Sequence, residues 1–202
     1  MRLLFQRVIL RDLTPADETA FVAYQMDRRY LALYDLPPDE TGPRALFDRF
    51  LRWQTEQPRL NLQLGVFDAR TSRLCGCAGL RGMVDKPGAA ELGIELAPAD
   101  WGRYRIALDT AICLVDHGFR ELGLDAIVGT TASGNRRVEK LASRFGATLS
   151  GRRAGPDWMR ARGWEEVDWV LPRDAWRGRQ IKQDALFRRR ASVAGSASGR
   201  SP

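Results

Sequence analysis

Leu96-Ala97-Pro98-Ala99-Asp100-Trp101-Gly102-Arg103-Tyr104-Arg105-Ile106-Ala107 joins two different patterns. Upstream, Ala90-Glu91-Leu92-Gly93-Ile94-Glu95-Leu96 reads as a strand, and Pro98 ends it because proline has no N–H for a ladder. Downstream, from Tyr104 to Phe119, the apolar residues recur at helical spacing. A turn that leads into a helix presents free backbone N–H groups at the positive end of the helix dipole. That geometry binds pyrophosphate without particular side chains. Arg103 and Arg105 can add charge-assisted hydrogen bonds. The same residues also fit a plain loop with two solvated arginines, so residue types alone leave both readings open.

Working outward, Arg7-Val8-Ile9-Leu10-Arg11 reads as a first strand, and Thr14-Pro15-Ala16-Asp17-Glu18 starts a helix. Thr14 can cap orphan amides, Pro15 suits the first helical position, and the acids suit the dipole. Residues 28–41 hold Pro37-Pro38 and read as a loop or a short helical turn. A second helix follows Pro43, with Leu46, Phe50 and Trp53 as its stripe. Strands follow over 62–66 and 74–80, with turns at Thr71-Ser72 and Asp85-Lys86-Pro87-Gly88. After the long helix, Ala126 to Thr131 is a strand. Ser133 or Asn135 caps a further helix whose buried face is Val138, Leu141, Ala142 and Phe145, and Gly146 ends it. Thr148 to Gly151 begins a strand, and Trp164 to Leu171 is the last. The order predicts an α+β (mixed α/β) domain with a largely antiparallel sheet over 1–176. A basic helical arm follows over 177–190, then a disordered tail over 191–202.

Composition narrows the function classes. With 202 residues, 44% hydrophobic and 28% charged, the chain reads as one globular domain with extensions. No apolar run approaches the roughly 20 residues of a transmembrane helix. Met1 to Leu10 is interrupted by Arg2, Gln6 and Arg7 and does not read as a secretory signal, so a cytoplasmic location is expected. Cys75, Cys77 and Cys113 form neither a disulfide framework nor a metal site, because no second cysteine pair exists and His117 is the only histidine. The net charge of +7 comes mostly from the arm. Residues 173–202 hold eight Lys/Arg and two Asp, which leaves +1 for the rest. A body-wide nucleic-acid surface is therefore not expected.

The deciding stretch resembles the coenzyme A site of the GNAT superfamily of acetyltransferases, most of all its ribosomal-protein N-terminal acetyltransferase branch. The resemblance rests on an ordered set: Glu91-Leu92-Gly93, Leu96-Ala97-Pro98, Trp101-Gly102, Gly118-Phe119, Leu122-Gly123-Leu124, Asn135 to Phe145-Gly146-Ala147, and Glu166 to Leu171 with Trp176. It implies a GNAT-like twisted sheet flanked by helices and the use of acetyl-CoA. It also implies transfer of the acetyl group to an amine-bearing small molecule or protein N-terminus; a homodimer is allowed. It places Leu96, Trp101, Gly102, Arg103, Arg105, Ile106, Ala107, Asn135 and Arg137 at the cofactor. The family's phosphate loop has the form Arg/Gln-x-x-Gly-x-Gly/Ala. Here, with Ala107 in the last position, Gly102 and Arg105 stand where Arg/Gln and Gly are usual. The tyrosine usual on the later helix is replaced, since Ala142 aligns there.

The reaction needs a neutral amine, an oxyanion donor and a proton acceptor. The resemblance implies a backbone amide near Leu96 as donor. Glu91 and Glu95 alternate onto one face of their strand, and either is a candidate base. A non-catalytic relative that binds coenzyme A or a protein partner is the alternative class. Nucleic-acid binding through Arg188-Arg189-Arg190 is a third.

Overall fold

The computed structural model describes residues 1–176. The expected arm and tail lie outside the described residues. The elements are β1 (Arg2–Phe5), β2 (Val8–Arg11), α1 (Glu18–Gln25), α2 (Arg28–Tyr34), α3 (Thr41–Thr55), β3 (Asn61–Asp68), β4 (Leu74–Gly82), β5 (Ala89–Leu96), α4 (Tyr104–Arg120), β6 (Ala126–Ala132), α5 (Arg136–Phe145), β7 (Thr148–Ala154), α6 (Asp157–Arg160) and β8 (Glu165–Pro172). The strands form one sheet in the order β1-β2-β3-β4-β5-β6-β8-β7. Every pair is antiparallel except β5 with β6.

That exception follows from connectivity. β5 and β6 are joined through α4, and a helical crossover returns the chain in the same direction. Helix α4 lies on one face of the sheet, where Ile106, Ala111, Leu114 and Val115 pack with Val8, Leu64, Leu80 and Ile127. The other face carries α1 to α3 through Phe21, Tyr24, Tyr30, Phe47 and Phe50, packed with Leu13, Phe67 and Cys77. Each fully buried side chain of this kind stabilises the fold by about 1.5–3 kcal/mol.

Several elements differ from the sequence reading. β1 and α6 were not expected, and the strand begun at Thr148 runs on to Ala154 as β7. Residues 28–34 form a full helix despite Pro37-Pro38 downstream. Asp27 caps it by accepting from Arg29 N at 2.8 Å. The α3 stripe is rotated: Phe47 and Phe50 are buried, while Leu46 and Trp53 are half-buried. On α5 only Phe145 is buried. Val138, Leu141 and Ala142 are half-buried because that face borders a cleft, with Leu141 also packed against the core.

Among the described residues no helix is long and apolar enough to cross a membrane. No group of three His, Cys, Asp or Glu residues among them could hold a metal ion.

Candidate active site

The parallel pairing of β5 and β6 is short. Ala89 pairs with Ala126, Ala90 with Ile127 and Glu91 with Val128. Beyond Glu91 the strands diverge, and β6 continues with β8 as far as Ala132. Ala97 N donates to Cys75 O at 2.8 Å. Strand alternation therefore turns the N–H and C=O of Leu92, Ile94 and Leu96 away from β4 and into the gap. A cleft of about 1120 Å³ opens there, lined by both strands, by α5 and by residues of α2 and α3.

The turn after β5 is held by a buried carboxylate. Asp100 is 0% exposed. It accepts from Arg73 Nη1 and Nη2 at 2.8 and 2.7 Å and from Arg103 Nη1 at 2.7 Å. Burial alone would raise its pKa, but the two guanidinium groups outweigh burial and hold it below the usual carboxylate range. Arg103 also bonds Asp68 at 2.9 Å. Trp101 Nε1 donates to Leu96 O at 2.8 Å. Gly102 has φ +94°, which an L side chain adopts poorly. The Gly102 and Arg105 amides have no backbone acceptor among the described residues, so both remain donors at the start of α4.

This arrangement sorts the expected cofactor residues. Leu96, Trp101, Ala107, Asn135 and Arg137 line the cleft. Gly102 and Arg105 lie beside it in the turn, offering amides. The guanidinium of Arg103 is committed to Asp100 and Asp68, which makes it a brace of the turn rather than a free phosphate ligand. Ile106 is 2% exposed and its side chain packs in the core. Asn135 caps α5, its Oδ1 accepting from Val138 N at 3.3 Å. Arg136 pairs with Glu139 at 2.8 Å, whereas Arg137 has no partner among the described residues.

Both candidate bases line the same cleft, in different surroundings. Glu91 lies directly across from Arg81 and pairs with it at 3.3 Å. Glu95 Oε1 accepts from Tyr24 OH at 2.8 Å and Gln25 Nε2 at 2.9 Å, and its Oε2 accepts from Tyr30 OH at 2.8 Å. A carboxylate offers about four lone pairs, so Oε2 can take one further donor. Burial, then the Glu95 charge, keeps Tyr30 well above the usual phenol range. Burial, then Cys77 and Glu95, does the same for Tyr24. Both tyrosines therefore stay protonated as donors. Burial and Glu95 also push the Cys77 thiol upward, so it is no ready nucleophile.

The tyrosines and Gln25 were missed in the sequence because α1 and α2 meet β5 only in three dimensions. Tyr30 also fell in a segment read as a loop or a short helical turn. The aromatic ring contacts continue from Tyr30 to Tyr34 at 4.9 Å, to Trp158 at 5.3 Å and to Trp164 at 6.5 Å. Trp164 lies on Gly134, where a Cβ would meet its ring at 2.2 Å. Only glycine fits that approach, and it ties the aromatic wall to the loop before α5.

A sequence profile of the acetyltransferase (GNAT) domain matches residues 7–148. The chain belongs to the GNAT superfamily. It is an acetyl-CoA-dependent acyltransferase. The Uncharacterized N-acetyltransferase YoaA of Bacillus subtilis (strain 168) is 26% identical over 145 residues, covering 72% of this chain and 81% of that one. The GNAT-family acetyltransferase from Bacillus anthracis superposes with a TM-score of 0.68 at 17% identity, over 86% of this chain and 99% of the other. The spermidine N-acetyltransferase from Vibrio cholerae, solved with CoA and spermine, gives 0.67 at 19% identity, over 84% and 98%. At these identities the structural likeness speaks for the fold.

The residues of this GNAT chain fit acetyl-CoA. The open edge of β5 can pair with the amide-bearing pantetheine chain. The free amides at the start of α4 suit pyrophosphate. Arg105 and Arg137 supply charge without competing ion pairs among the described residues.

Proposed function

We propose that this GNAT enzyme transfers the acetyl group directly to a primary amine, on a protein N-terminus or a small molecule. The sequence pattern resembles that of the ribosomal-protein branch. One observation carries the reading: the unpaired edge of β5 and the carboxylate of Glu95 face the same cleft. Acetyl-CoA supplies an activated acyl group as a thioester. The N–H of Leu96 points into the gap, while its C=O is engaged by Trp101, so that amide is free to donate to a developing oxyanion. Glu95, held by Tyr24, Gln25 and the Cys77 thiol on Oε1 and by Tyr30 on Oε2, uses the remaining lone pair of Oε2 to accept the amine proton directly or through one water. The N–C bond forms as the C–S bond breaks. The proton taken by Glu95 equals the one the thiolate needs, so the base is regenerated. Glu91, neutralised by Arg81, is the weaker candidate.

Calorimetric titration with acetyl-CoA, with adenosine as control, tests the reading. Saturable binding of acetyl-CoA alone, weakened by Arg105→Glu, is the expected result, followed by thiol release with an amine panel. No binding at millimolar concentration refutes it.

A further inference from the structure

The amine side of the cleft has a distinctive charge pattern. Among the described residues Glu91 and Glu95 are the only carboxylates lining the cleft, and both are engaged, by Arg81 and by Tyr24, Gln25 and Tyr30. Four arginines line it as well. Arg81 and Arg136 are paired with Glu91 and Glu139. Arg137, in the first turn of α5, is the arginine that the resemblance assigns to the cofactor. That leaves Arg49 on α3, exposed and without a partner among the described residues, one turn from Trp53 and beside Phe50. The surrounding wall is aromatic: Tyr34, Trp158 and Trp164 in edge contact, and Phe50 with Trp53 at 5.5 Å.

These features select among amines. The second ammonium of a polyamine would find no free carboxylate and would meet the Arg49 charge. Indole faces can hold a cation, but the Arg162 guanidinium already lies 5.8 Å from the rings of both Trp158 and Trp164. An aromatic body, by contrast, finds edge and face partners along the whole wall. A carboxylate finds Arg49, whose planar fork suits it.

Resting on the acetyl-transfer reading, we infer that the acceptor is a single primary amine on an aromatic or large apolar body. The same molecule carries a carboxylate that pairs with Arg49. This is the chemistry of an aromatic amino acid rather than of a polyamine.

The test uses the full chain, saturating acetyl-CoA and thiol release with L-tryptophan, tryptamine, L-alanine and spermidine. L-Tryptophan is expected to exceed tryptamine roughly fivefold in kcat/KM, the factor an exposed ion pair contributes. The Arg49→Ala variant, checked by thermal melting, removes that difference. L-Alanine and spermidine are each expected to fall at least about tenfold below L-tryptophan. Spermidine or L-alanine matching L-tryptophan, or an Arg49→Ala loss equal for tryptophan and tryptamine, overturns the inference. Calorimetry with each amine alone separates this from the underlying reading. Failure of acetyl-CoA to bind sinks the transferase. Saturable L-tryptophan binding that weakens in Arg49→Ala still supports the pocket assignment, and its absence at millimolar concentration overturns it.

Discussion

Replacing Asp100 by Asn removes a charge at the centre of the turn that shapes the cofactor site. The carboxylate is fully buried, while Arg73 and Arg103 keep side-chain exposures of 47% and 46%. Three charge-assisted bonds of 2.7–2.8 Å are lost or reversed, because the Asn amide presents N–H to a guanidinium. Breaking a fully buried pair costs about 3–5 kcal/mol. Here the arginines regain water, so about 2–3 kcal/mol is expected. For a domain of this size that lowers Tm by about 5–10 °C. The pH dependence has a definite sign. The folded pKa of Asp100 lies below the unfolded value of about 3.9. Its stabilisation is therefore complete above about pH 5 and is lost as pH falls through the folded value. Thermal melts of wild type and Asp100→Asn should differ equally at pH 6 and pH 8, and converge below about pH 4. Acetyl-CoA affinity should fall with stability, because the Gly102 and Arg105 amides sit on the same turn. A variant melting within about 1 °C of wild type at pH 7, or a gap that widens on acidification, would refute the reasoning.

Two further outcomes are expected. Glu95→Gln should reduce kcat by about 10²-fold or more with acetyl-CoA binding intact, while Glu91→Gln changes it little; equal activity of both variants with wild type places the base elsewhere. Gly134→Ala should cost about 1–3 kcal/mol in thermal melts, because its Cβ would enter the Trp164 ring. In a Trp164→Leu background the same change should cost much less, and equal costs in both backgrounds would deny the contact.

The resemblance to the GNAT superfamily supplied the cofactor, and the covalent order of residues carried the domain type and the strand-to-helix turn. Those features are local. Alternation in Ala90–Leu96, the stop at Pro98 and the helical period from Tyr104 lie within one continuous segment. The match of residues 7–148 to the GNAT domain agrees with that reading. Other features needed the tertiary structure. Arg103 looked like a free phosphate ligand because sequence neighbours do not reveal that its guanidinium turns back onto Asp100 and Asp68. Glu91 and Glu95 were indistinguishable by spacing. They parted only when the β4 register set Arg81 across from Glu91, and α1 and α2 brought two phenols and an amide to Glu95. The aromatic wall joins Tyr30 to Trp164 across 134 positions of chain, a separation no periodicity encodes. Sequence alone determined which backbone conformations were available, because alternation, capping and proline act over a few residues. The folded packing decided which charges remain free, because a charge is neutralised by whatever the fold brings within about 4 Å.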